Sequence, residues 1–195
     1  LVGSEMCIRD RFELYNAGSG DIQESADASG RPGAPLYDGT TLLPRDRATP
    51  SSAETIARFG NLALLSRFDI SSDEVAAGRP LTLTLKWIAL GQADRDLTLF
   101  AHLINEAGQA VAQHDKQPLD GQFPTTRWQA GTQFTDQHVF QLPQALAPGA
   151  YRIALGFYDA ATGERLPVAA GAADRAGAAW EVTADHVLLG NLTAR

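Results

Sequence analysis

The chain has 195 residues, 44% hydrophobic and 20% charged, which is enough apolar material for a folded core and excludes a wholly disordered polymer. Its 16 basic and 23 acidic side chains leave a net charge of −7, which argues against a protein that grips nucleic-acid phosphates. With one Cys and one Met, an intrachain disulfide framework and a Cys-rich zinc site are both excluded.

In chain order, the first feature is the pair Met6-Cys7. It lies inside Ser4–Arg11, a string that resembles translated sequencing-adapter read-through. That resemblance marks residues 1–11 as foreign and predicts that a natural upstream portion is missing. Residues 12–52 are rich in Gly, Ser, Ala, Asp and Pro with short apolar islands, and read as a linker or poorly structured extension. Ser51 and Glu54 match a capping box, which predicts a helical turn or two over Ala53–Phe59 ending at Gly60. No apolar run approaches the roughly 20 residues of a spanning helix.

From Asn61 the hydrophobic pattern has period two. Leu81, Leu83, Leu85 and Trp87 alternate with Thr82, Thr84 and Lys86, as in a half-buried strand. The stretch Leu97–Ile104 is apolar on both faces, which predicts a strand covered on its outer side as well. Asn105–Gln109, with Gly108, turns the chain into a second strand over Ala110–Asp115. Phe134, Asp136, His138, Phe140 and Leu142 form another alternating set, and Tyr151, Ile153, Leu155 and Phe157 the clearest one. Arg165–Val168, Trp180–Thr183 and His186–Leu192 supply closing strands. Seven or eight strands without a sustained helical period predict an all-β domain over residues 53–195. The expected architecture is an immunoglobulin-like, antiparallel two-sheet sandwich.

Arg58–Val168 resembles the C-terminal extracytoplasmic domain of bacterial membrane glycosyltransferases of the dolichyl-phosphate-mannose–protein-mannosyltransferase-like class. The resemblance rests on Phe59–Leu65, Leu81–Trp87, Phe100–Leu103, Gln113–Asp115, Gly121–Gly131, Pro148–Arg152 and Gly156–Pro167. In that family the chemistry belongs to the membrane-embedded portion. The resemblance therefore implies a non-catalytic accessory module outside the cytoplasm, joined to a membrane-embedded glycosyltransferase portion of the same polypeptide through the missing N-terminal part.

Candidate contact residues follow from side-chain chemistry. Trp128 beside Arg127 has the composition of a sugar platform, with Tyr158 adding aromatic area; the alternative folds Trp128 over the sandwich edge as a plug. His102, His114 and Asp115 add polar groups in the matched stretches, so a glycan is the expected ligand class. Asp136 and His138 share one strand face by their spacing of two. Convergence of those two with His102 would support a metal-assisted hydrolase, a competing reading. A ligand-free structural or protein-interaction sandwich is the other. No Gly-x-Ser-x-Gly elbow, phosphate loop or dinucleotide fingerprint occurs, and neither a catalytic set nor a cofactor is expected. Asn191-Leu192-Thr193 satisfies a glycosylation sequon.

Overall fold

The structure is a computed structural model describing residues 36–37, 42–43, 55–173 and 178–195. The stretch 1–11 expected to be foreign, most of the expected linker and the capping-box residues Ser51 and Glu54 lie outside these. The strands in chain order are β1 (Leu36–Tyr37), β2 (Leu42–Leu43), β3 (Ala57–Phe59), β4 (Ala63–Ile70), β5 (Pro80–Ala89) and β6 (Thr98–Asn105). They continue with β7 (Ala110–Gln113), β8 (Gln133–Gln141), β9 (Gly149–Tyr158), β10 (Val168–Ala170), β11 (Trp180–Val182) and β12 (Val187–Ala194). Short 3-10 turns at Pro118–Gly121 and Thr125–Arg127 interrupt the β7–β8 connection. Among the described residues no helix is long and apolar enough to cross a membrane.

Two sheets form, ordered β10-β3-β4-β5-β8-β1-β2 and β11-β12-β9-β6-β7. The neighbours β4-β5-β8 against β12-β9-β6-β7 reproduce the A-B-E and G-F-C-C′ relations of an immunoglobulin-like sandwich. At the start of β9, the Tyr151 hydroxyl donates to the Ala147 carbonyl at 2.7 Å, the tyrosine-corner bond of such sandwiches. The strand count exceeds the expected seven or eight because several strands have only two or three residues. Among the described strands the pairing is antiparallel except that β1, from the expected linker, runs parallel to β8 at Gln133–Phe134, and an isolated parallel bridge joins Glu74 to Thr193.

Residues 57–59 form β3 and not the end of a helix. The short stretch pairs with β4 on one side and β10 on the other, and Ala57 and Phe59 are fully buried between them. Tertiary pairing outweighs a weak local cap. In β4 a bulge between Leu65 and Arg67 shifts the side-chain parity. Ala63 and Leu65 face inward before it, and Phe68 and Ile70 pack toward the core after it. In β12, Gly190 at φ 77 sits in a bulge that moves the inward set from Val187 and Leu189 to Leu192 and Ala194.

The inward faces of both sheets build the core, with Leu81, Leu83 and Leu85 of β5 opposing Leu99, Leu103, Ile153 and Leu155 of the other sheet. Aromatic rings fill part of it. Phe59, Trp87 and Phe157 contact edge-on with centroids 5.3–5.6 Å apart. Trp128 extends this group toward Phe123 and Phe134. Edge-on aromatic pairs add about 0.5–1.5 kcal/mol each beyond the area they bury.

One sandwich edge brings β7 and the Pro118–Gly121 turn against β8. Within that turn Leu119 and Asp120 hold φ of 52° and 56°, left-handed conformations without glycine. Each costs about 1–3 kcal/mol unless surrounding contacts impose it. The buried Leu119 side chain and an ion pair between Lys116 and Asp120 are two such contacts.

Candidate functional site

Three residues after β7 organise the polar chemistry. His114, Asp115 and Lys116 run on beside β6, with His114 N–H donating to the Ala101 carbonyl and Leu99 and Lys116 exchanging backbone bonds. Extended backbone sends successive side chains to opposite faces. His114 and Lys116 accordingly point between the sheets, where they meet β8, while Asp115 points outward over the second sheet.

On the outer side, Asp115 Oδ1 lies 2.8 Å from His102 Nε2, and the Tyr158 hydroxyl donates to Asp115 Oδ2 at 3.4 Å. His102 comes from β6 and Tyr158 from the end of β9, two adjacent strands. Both side chains are half-buried. Burial and the Asp115 carboxylate push the Tyr158 hydroxyl pKa above its ordinary value, so the phenol stays protonated and available as a donor.

Phe100 lies beside this trio, 5.1 Å from the His102 ring and 6.2 Å from the Tyr158 ring. It crosses Gly156 on β9, where an added Cβ would sit 2.6 Å from the phenyl ring. The Arg165 guanidinium lies over the other part of Phe100, 4.5 Å from its centroid, and pairs with Asp185 at 3.0 Å. This cover explains why β6 is apolar on both faces.

On the inner side, Asp136 and His138 project from β8 and are fully buried. Lys116 Nζ lies 2.8 Å from Asp136 Oδ1 and 3.0 Å from the exposed Asp120 carboxylate. His138 Nε2 and Asp136 Oδ2 face each other at 3.7 Å, too far for a hydrogen bond. Burial raises the Asp136 pKa, but the pull of His138 and Lys116 outweighs it and holds the carboxyl below the usual range. His114 is lowered, first by burial and then by the neighbouring His138 and Lys116.

The predicted residues therefore divide. His102, Asp115 and Tyr158 meet on one outward face, whereas His114 belongs to the inner cluster. Trp128 is 1% exposed, and its Nε1 donates to the Phe123 carbonyl at 2.9 Å. Its ring stacks on Phe123 and meets Phe134 and Phe157 edge-on, so no face is left for a sugar and the platform reading is corrected to a core plug. Arg127 is exposed one residue earlier, because the extended backbone after its 3-10 turn carries Trp128 inward.

The metal reading fails on orientation. His102 points outward from the second sheet to Asp115, while Asp136 and His138 lie between the sheets. Among the described residues no group of three or more His, Cys, Asp and Glu side chains is placed to hold a metal ion.

Sequence reasoning missed Lys116 and Arg165. The signal for Lys116 was available, because a charged residue two after His114 shares its face in extended chain. Arg165 has no such local sign, since its contact with Phe100 spans a loop and a different strand. No protein-family model matches the chain, and no curated protein matches it.

Proposed function

We propose that this chain is a non-catalytic accessory β-sandwich of a membrane glycosyltransferase, lying outside the cytoplasm, and that it contacts a glycan or glycosylated acceptor through Tyr158, His102 and Asp115. The observation that carries the contact is the gathering of these side chains, from two strands and the post-β7 segment, on one outward face. A half-exposed phenol beside a carboxylate and an imidazole offers ring surface, acceptors and donors to sugar hydroxyls. The resemblance of Arg58–Val168 supports the glycosyltransferase context, and Trp128 serves the fold.

Glycan-array binding of the full chain tests the contact. Binding is expected, weakened at least about tenfold by Asp115→Ala, the loss of one charge-assisted hydrogen bond. Tyr158→Ala is expected to weaken it as well, through lost ring contact. The context predicts membrane-spanning segments encoded upstream of Phe12 in an uncontaminated genomic read. A start codon followed directly by a secretion signal would overturn attachment to a membrane enzyme.

One observation favours a second reading, a structural or protein-interaction sandwich without a ligand. Both oxygens of Asp115 already have partners within the chain. An array on which no glycan binds decides for that reading.

A further inference from the structure

Two imidazoles meet where the post-β7 segment lies against β8. His114 Nδ1 is 3.1 Å from His138 Nδ1, and that His138 nitrogen is also 3.0 Å from the His114 carbonyl oxygen. A carbonyl oxygen only accepts, so His138 Nδ1 carries a hydrogen and shares it between the oxygen and the ring nitrogen of His114. His114 Nδ1 is then an acceptor, and its own hydrogen resides on Nε2. The contact has room for one proton. A second, on His114 Nδ1, would set two N–H donors head to head.

Nearby charges give the second proton little relief. The groups facing His114 are His138 and Asp136 from β8, and Lys116 and Asp120 from its own segment. Lys116 already occupies an oxygen of each carboxylate, and the other Asp136 oxygen faces His138 Nε2.

We propose that His114–Lys116 is an acid-released latch, in which a proton on His114 Nδ1 breaks its contact with His138 and frees this edge of the second sheet. Asp115, carried on the same segment, leaves His102 and Tyr158 as the latch opens. The latch needs no ligand, whereas its effect on binding rests on the reading of His102, Asp115 and Tyr158 as the contact site.

The anchoring is confined to a few named contacts. The segment is tied to β6 by backbone bonds from His114 to Ala101 and between Lys116 and Leu99, to His102 and Tyr158 through Asp115, and to Asp136 through Lys116. It is followed by left-handed Leu119 and Asp120, whose conformation the latched contacts help impose. Burial and the charges of His138 and Lys116 set the release below the ordinary imidazole range. Asp136 keeps its charge there, because its carboxyl is held low.

Amide hydrogen exchange of the full chain, expressed as protection factors from about pH 7.5 to about pH 4.5, tests the latch. Protection at Leu99, His114 and Lys116 is expected to fall by up to about tenfold per pH unit for one proton taken up. Leu83 and Leu85 in β5 are expected to keep theirs. His114→Gln should remove the pH response, and His102→Gln, on the opposite face, should retain it.

Flat protection across the range overturns the latch, as does a response that persists in His114→Gln or spreads equally to β5. Nitrogen-15 shifts of the wild-type rings give a measurement that needs no variant. A hydrogen on His114 Nδ1 at neutral pH also overturns it. A latch that opens in a protein binding no glycan at either pH removes the contact site and leaves the latch standing.

Discussion

Replacing Trp128 with alanine is expected to destabilise the chain by about 3–5 kcal/mol, the range for a large aromatic removed from a packed core. The ring is 1% exposed and touches Phe123, Phe134 and Phe157, so its loss opens a cavity that rigid aromatic neighbours fill poorly. It also removes the bond from Nε1 to the Phe123 carbonyl. Against a total stability of about 5–15 kcal/mol, this is a large share. Trp128→Phe keeps an aromatic ring and should lose about 1–3 kcal/mol, mostly for the lost bond from Nε1 to the Phe123 carbonyl. Urea unfolding at constant m-value measures both. A midpoint for Trp128→Ala within about 1 kcal/mol of wild type would contradict the core role assigned here.

The second large effect belongs to Asp136. Asp136→Ala leaves Lys116 without its buried counter-charge, which typically costs about 3–5 kcal/mol. The lower end is expected, because Lys116 retains Asp120 at 3.0 Å near the surface. Replacing both buried charges at once, as Asp136→Leu with Lys116→Met, should recover most of the loss. A double variant no more stable than Asp136→Ala alone would show that the carboxylate acts through other partners.

The same groups fix how stability follows pH. The folded state lowers the proton affinity of His114, so the unfolded chain takes up that proton first. The contribution is complete above the unfolded imidazole value, about pH 6.5, and is lost as pH falls through the folded one. The Asp136 carboxyl is also lowered, so its contribution is present above about pH 4 and is lost as pH falls through its folded value. Urea midpoints across pH should therefore decline in two stages. Asp136→Ala should diminish the more acidic one, to which the lowered carboxyls of Asp159 and Asp185 also contribute.

Legibility in the sequence followed regularity of pattern. Leu81–Trp87 and Tyr151–Phe157 could be read because the large apolar side chains alternate without a break and keep one parity, the buried residues opposite them in β9 being the small Ala154 and Gly156. In β4 and β12 a single bulged position reverses the parity midway, so a period-two pattern holds only within each half, and of β12 the expected closing strand His186–Leu192 left out Thr193 and Ala194. β3 was hidden: three residues carry almost no periodic signal, and two distant partners decide their state. The shared face of Asp136 and His138 was legible from their spacing. Their opposition to His114 and Lys116 was not, because β8 and the post-β7 segment belong to different sheets. Likewise Asp115 meets a residue 13 positions earlier and one 43 positions later, juxtapositions that only the strand order creates.

That strand order has a consequence for biosynthesis. The chain visits the first sheet in β3–β5, the second in β6–β7, then returns through β8, β9, β10 and β11–β12 in alternation. Neither sheet is a continuous stretch that can fold ahead of the other. The second sheet also places β12 between β11 and β9, so its last-made strand is an interior one. While the chain is emerging from the ribosome, β9 exposes an unpaired edge and β11 has no neighbour in its sheet. Completion waits for Ala194 to pair with Gly149. Such long-range closure belongs to the slow end of folding, in milliseconds to seconds. Translation pauses or premature termination before β12 would leave a sticky, half-built sheet for chaperones to hold.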